Sequence, residues 1–305
     1  MSIRDDLKYP SEYGSHPKGG KWATTVQPSF IVGGRSYVGL VDAGGTLLKT
    51  IDEKLRVSSM PYLYDIAEGN VPGHDYFRGF GERVAVAVVV AGVDIWRGVS
   101  NTIPIPVAAG EQLEVISTSG NDDGAPVGTG VRTVEVHYLD AAGNQQEETV
   151  IMNGLGAVAL NETNVRFVND FHTATVGTGG AAAGTITLYK QGTPLTVYAR
   201  IPIGMNKGLS TQKMVPAGKV FYMTQWAATA TASKPIAMRI RTTSEHGILT
   251  PGIFIHLDSA YLQDMSYVHT FDIPIQIPEF TIIKVTGYAT QAGAEVSASW
   301  GGWIE

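Results

Sequence analysis

The stretch VRTVEVHYLD at residues 131–140 constrains the fold most, because its apolar residues recur at every second position. Successive side chains of an extended strand point to opposite faces, so Val134, Val136 and Tyr138 share one side and Thr133, Glu135 and His137 the other. A helix would need a repeat near 3.6, and this segment therefore reads as a half-buried strand. The turn DAAGN and the run QQEETVIMNG follow, which predicts a hairpin over residues 131–154. The same alternation returns in Ile186 and Leu188, in Val197, Ala199 and Ile201, and in Met238 and Ile240 between Arg239 and Arg241. It closes the chain with Val296, Ala298 and Trp300 set against Glu295, Ser297 and Ser299. Helical periodicity is almost absent; short turns of helix are expected only around residues 3–8 and 258–265.

Strands spaced by roughly 8–12 residues with turn signals between them mark a sandwich or barrel. Composition agrees: 36 glycines in 305 residues and 16% charged residues suit sheets and turns better than solvated helices. Two phrases, PVAAGEQLEVISTS at 106–119 and MVPAGKVFYMTQWAA at 214–228, each set a small-residue turn before a strand. They suggest a structural duplication. The expected class is all-β, with two tandem β-sandwich or jelly-roll domains at residues 100–205 and 206–305. Residues 36–99 read as an irregular or β connecting region, and residues 1–35 as an extended arm whose aromatics pack on another surface.

Several functions are disfavoured. Without cysteine there is no disulfide framework, thiolate metal site or cysteine nucleophile. A net charge of −6 without a Lys/Arg cluster argues against nucleic acid as a direct partner. The apolar run VAVAVVVAGV is too short to span a membrane as a helix, and the first residues lack the apolar core of a secretory signal, so synthesis in the cytoplasm is expected. None of the seven histidines sits in a metalloprotease-type pattern, and His137, His256 and His269 read as solvated or hydrogen-bonded structural residues. Asp122 and Asp123, in the turn SGNDDGAPVGTG, are the candidates for a metal ion, calcium in particular. Their spacing lacks an alternating acid register, which favours a role as local hydrogen-bond acceptors. VGTGGAAAG lacks the ending of a phosphate loop, no GxSxG is present, and Trp226, Trp300 and Trp303 suit a core or interface better than a sugar platform. No catalytic residue and no cofactor is expected.

The segment FDIPIQIPEFTIIKVTGYATQAGAEVSASWGGWIE (271–305), with VPAGKVFYMTQW (215–226), resembles the jelly-roll domains of bacteriophage virion proteins. GTGVRTVEVHYLDAAGNQQEETVIMNG (128–154), with AGTITLYK (183–190), is similar to a module of structural proteins of aquatic tailed phages. The resemblance implies a non-enzymatic virion component, located in the virion and made in the host cytoplasm: a capsid decoration or cement protein, or a minor capsid protein. Its partners would be further copies of itself, as a trimer, and other virion proteins such as the major capsid protein. Tyr9, Tyr13, Trp22 and Phe30 are the expected interface anchors of the arm, since large aromatics dominate interface energetics. The alternatives are a double jelly-roll major capsid protein and, from another class, a carbohydrate- or receptor-binding sandwich of a fibre or tail that uses loops 119–130 and 176–184 on a glycan. A β-sandwich lyase or glycosidase ranks below these.

Overall fold

The computed structural model describes residues 62–305 apart from 232–233, 246–247 and 251, and the backbone of one earlier hairpin. That hairpin, β1 (Phe30–Val32) with β2 (Arg35–Tyr37), lies in the unit Met1–Pro61, which is distinct from Tyr62–Glu305. The second unit begins with a short helix, α1 (Tyr62–Ala67), and the strands β3 (Asp75–Val86) and β4 (Val93–Asp94). Next come β5 (Leu113–Ser117), β6 (Val131–Leu139), β7 (Gln145–Ile151), β8 (Val158–Ala159), β9 (Phe167–Val176), β10 (Ile186–Lys190) and β11 (Thr193–Ile201). The remainder holds β12 (Lys213–Met214), β13 (Phe221–Ala230), β14 (Ile236–Thr242), the small pair β15 (Ser244–Glu245) and β16 (Ile248–Leu249), then β17 (Ile255–Leu262), β18 (Met265–Ile277), β19 (Ile282–Ala289) and β20 (Ala294–Ile304).

The all-β expectation holds, and every ladder is antiparallel. The order along the chain, however, is nested where the sequence suggested tandem. One sheet runs β18-β13-β20-β3 and the other β12-β19-β14-β17, with β4 also on β19. Residues of both sheets share one core, including Phe77, Phe221, Met223, Trp226, Met238, Ile240, Val285 and Trp300. Strands β3 and β4, inside the supposed connecting region, thus close onto the last two strands of the chain. Between them and β12 the chain builds a second sandwich, from β11-β10-β5-β8 and β7-β6-β9, around Leu113, Val134, Val136, Phe171, Ile186 and Leu188.

Both VxAG phrases form turns with a left-handed glycine, Gly110 at φ +84 and Gly218 at φ +69, a conformation that glycine adopts without a Cβ penalty. The first leads into β5 of the inserted sandwich; the second leads into β13, where the outer sandwich resumes after β12. Each alternating run quoted from the sequence buries its predicted apolar side, apart from Val197, which is partly buried. Residues 258–265 instead continue β17 and turn into β18, because Asp258, Ser259, Ala260, Tyr261 and Leu262 pair with β14.

Aromatic packing fixes the outer core. Phe77, Phe221 and Trp300 form a triangle with centroids 5.2–5.6 Å apart, and each fully buried side chain of this size contributes roughly 2–3 kcal/mol. The Trp300 indole lies across Gly79, where a Cβ would come within 2.5 Å of the ring. The two sandwiches meet through Leu139, Phe167, Met214 and Ile282, and the Asn169 side chain makes hydrogen bonds to both N–H and C=O of Met214.

Candidate interaction surface

Strands β17 and β18 end the two sheets of the outer sandwich and are joined by a tight turn in which Asp264 takes φ +51. These strands carry four strongly exposed apolar residues, Tyr261 (76%), Met265 (51%), Val268 (67%) and Ile273 (83%); Tyr261 faces off one sheet, between the core residues Ala260 and Leu262, and Val268 off the other. Among the described residues neither strand has a partner beyond it, and such an edge offers backbone donors and acceptors as well as apolar surface, which proteins normally blunt with charge, proline or bulges. Part of β18 is blunted. Met223 pairs with Ile275 and Gln225 with Thr270, so residues 271–274, including Pro274, stand opposite Thr224 alone and form a bulge in which Phe271 packs on the core. Residues 265–270 remain regular and carry no Lys or Arg.

Asp258 anchors this edge. Its Oδ2 accepts from Trp226 Nε1 at 2.8 Å and from Tyr267 Oη at 3.2 Å, and lies 2.6 Å from His269 Nδ1; its Oδ1 accepts from Ser259 N at 2.7 Å. The carboxylate thereby ties β17 to β13 and β18. Burial raises its pKa, but the hydrogen bonds from His269, Trp226, Ser259 and Tyr267 outweigh burial and hold it below the ordinary 3.8. A carboxylate with a depressed folded pKa contributes stability that is complete above its unfolded value and is lost as pH falls through the folded one. Urea unfolding followed between about pH 3 and 6 should therefore show a flatter loss of stability in Asp258→Asn than in the wild type. Equal slopes would contradict this role.

A second feature is the cleft between the sandwiches, about 320 Å³ and lined by Tyr76, Arg78, Phe80, Asp170, Lys207 and Lys213 among others. Asp170 Oδ2 accepts from Lys207 Nζ at 2.6 Å. Burial pulls the Lys213 ammonium down to about 8; Asp170 opposes that shift, while Lys207 and Arg78 reinforce it. The excess of cations makes the cleft suited to an anionic group.

Asp122 is fully buried, and its oxygens accept from Ser117 Oγ at 2.6 Å and from the N–H groups of Val131, Ala183 and Gly184 at 2.8 Å each. Four donors directed at one carboxylate leave no face for a cation, so Asp122 is an acceptor hub. Asp123 Oδ1 accepts from Ala125 N. The hub also ties loop 176–184 to loop 119–130, helped by Gly177 N to Gly130 O and Gly179 N to Thr129 O. Trp226 and Trp300 are core residues, whereas Trp303 is half-buried and stacks on Tyr222 at 5.1 Å. Tyr9, Tyr13 and Trp22 lie outside the described residues, and Phe30 is described only as the first residue of β1, paired with Tyr37.

Sequence reasoning missed Tyr261, Met265, Val268 and Ile273. Of these only Val268 carried a signal, as a large apolar residue on the otherwise polar parity Ser266, Thr270, Asp272 and Gln276. Among the described residues, Glu135, His137 and His172 form a group that could hold a metal, with ligand atoms within 4.8 Å of one another. No family model, curated protein or solved structure matches the chain.

Proposed function

We propose that this chain is a non-enzymatic structural subunit of a bacteriophage particle, a capsid decoration, cement or minor capsid protein. The strand order of the outer sandwich carries the reading. Ranking β3, β4, β13, β14, β17, β18, β19 and β20 from first to eighth, one sheet reads sixth-third-eighth-first and the other second-seventh-fourth-fifth. This is the order of an eight-stranded jelly roll, an architecture used by viral shells as well as by lectins and cupins. The nested second sandwich enlarges that unit without adding a second jelly roll, which favours an accessory subunit over a double jelly-roll major capsid protein.

In this proposal the edge strands β17 and β18, which carry Tyr261, Met265, Val268 and Ile273, are covered by a neighbouring copy in a trimer, and residues 1–35 attach the assembly to the shell. Apolar, charge-poor surface is the kind that permanent interfaces bury. Light scattering on the purified full chain should give the mass of a trimer, and Val268→Lys, which places a charge in the centre of the edge, should shift it to monomer with unchanged circular dichroism. A wild-type monomer that also fails to bind phage shells would overturn the proposal.

The basic cleft favours one other reading, a receptor-binding protein for an acidic glycan held by Arg78, Lys207 and Lys213 beside Tyr76 and Phe80. Glycan binding by a monomer, lost on Arg78→Ala, is the result that would select it.

A further inference from the structure

We propose that Glu135, His137 and His172 bind one divalent transition-metal ion, zinc in preference, on the outward face of the inserted sandwich. The inference begins with two short phrases of the same form, Glu135-Val136-His137 and Asp170-Phe171-His172. In each the middle residue is buried, Val136 at 0% and Phe171 at 1% exposure, so the acid and the histidine on either side must both face outward. Strands β6 and β9 then pair antiparallel with Glu135 opposite His172 and His137 opposite Asp170. Each acid meets the other strand's histidine, and two segments far apart in sequence form one cluster.

The distances fit a metal after a small adjustment. Glu135 Oε1 lies 2.5 Å from His137 Nε2 and 3.7 Å from His172 Nε2, and the two imidazoles stack with centroids 5.3 Å apart. Tetrahedral zinc with bonds near 2.0–2.1 Å requires ligand atoms about 3.3 Å apart. The observed spacings bracket that value, so a shift of the Glu135 carboxylate by less than about 1 Å would open the centre to an ion. Side-chain exposures of 27–39% leave the three residues reachable from solvent and still held by their strands.

The surroundings supply what a histidine ligand needs behind it. His172 Nδ1 is buried without a hydrogen-bond partner, and Asp170 Oδ2 stands 3.8 Å from it. Asp170 is itself held by Lys207. A carboxylate behind a metal-bound imidazole fixes its tautomer and raises its basicity, and closure of this gap would complete that arrangement. Two imidazoles and one carboxylate select zinc, cobalt, nickel or copper over calcium and magnesium, which prefer sets of oxygen ligands. Three protein ligands leave a fourth position for water or for a group from a bound partner. The ion would cross-link β6 and β9 on the side remote from their core.

The test uses the untagged full chain, stripped with a chelator and titrated with cobalt(II), whose visible absorption reports low-coordinate binding, followed by displacement with zinc. One cobalt per chain is expected. His137→Gln and His172→Gln should abolish the absorption, and Asp170→Asn should weaken binding by about 10- to 100-fold. His256→Gln, a histidine outside the cluster, should bind as the wild type does. All four positions are at least partly exposed, so retained circular dichroism is expected and separates loss of binding from loss of fold. Absence of cobalt absorption in the wild type, or its persistence in His172→Gln, would overturn the proposal.

Discussion

Asp122→Ala is expected to destabilise the inserted sandwich by about 4 kcal/mol, which for a unit of roughly 100 residues lowers the melting temperature by about 20 °C. The magnitude follows from the groups left behind. The buried N–H donors of Val131 and Gly184, the part-buried N–H of Ala183 and the Ser117 hydroxyl lose their acceptor at once. Each unsatisfied buried donor costs about 1–3 kcal/mol, and local relaxation or water recovers part of the sum. Asp122→Asn should cost about half as much. Its remaining oxygen still serves Val131 and Ala183, while its amide can donate to the Ser117 hydroxyl but confronts the Gly184 N–H.

The same experiment separates the hub from a cation site. Calcium bound at Asp122 would make the melting temperature of the chelator-stripped chain rise when calcium is added back. The observed donor set predicts no change at this position, and differential scanning calorimetry with and without calcium decides it.

Legibility in the sequence followed the physics of each element. The β6–β7 hairpin was readable because one face is buried and the other wet, so hydrophobicity alternates and the turn residues lie between. Strand β3 was not, although it is 12 residues long. Its inward positions include Phe77, Gly79, Gly81 and Arg83, and the glycines are there because larger neighbours occupy their space. A Cβ at Gly79 would strike Trp300, and one at Gly81 would lie 2.4 Å from the Ile95 carbonyl oxygen. A strand whose core is filled from the opposite sheet or from a passing backbone shows no hydrophobic repeat. The nested order was hidden for the related reason that β3 and β4 find their partners at the far end of the chain. The acid-x-His phrases were visible singly, but their juxtaposition depends on the register of β6 with β9, which composition does not encode.

Asp94 is where the nested closure can be tested most directly. It lies at 1% exposure at the end of β4, with Lys284 Nζ within 2.9 Å of Oδ1 and 3.0 Å of Oδ2, a contact that spans 190 positions of sequence. Ile103 N donates to it at 3.0 Å, and Thr286 Oγ1 stands 3.4 Å away. Arg83, also buried, has its pKa lowered by burial, with Asp94 opposing the shift, so one carboxylate balances two cations. Asp94→Ala should cost about 4 kcal/mol, since it leaves Lys284 and Arg83 uncompensated in an apolar setting. Lys284→Met should cost less, because Arg83 still balances Asp94 and the methionine stem can keep the packing against Phe254 that the ammonium now makes at 4.1 Å. The double variant should be more stable than the sum of the single losses predicts, because it removes the carboxylate and one of its two cations together. Hydrogen exchange on the same proteins should show Asp94→Ala releasing the β3 and β4 amides before those of β13 and β14. Strict additivity of the two substitutions, or uniform exchange across the outer sandwich, would mean that this ion pair does not hold the first strands against the last, and that the closure rests on the apolar core alone.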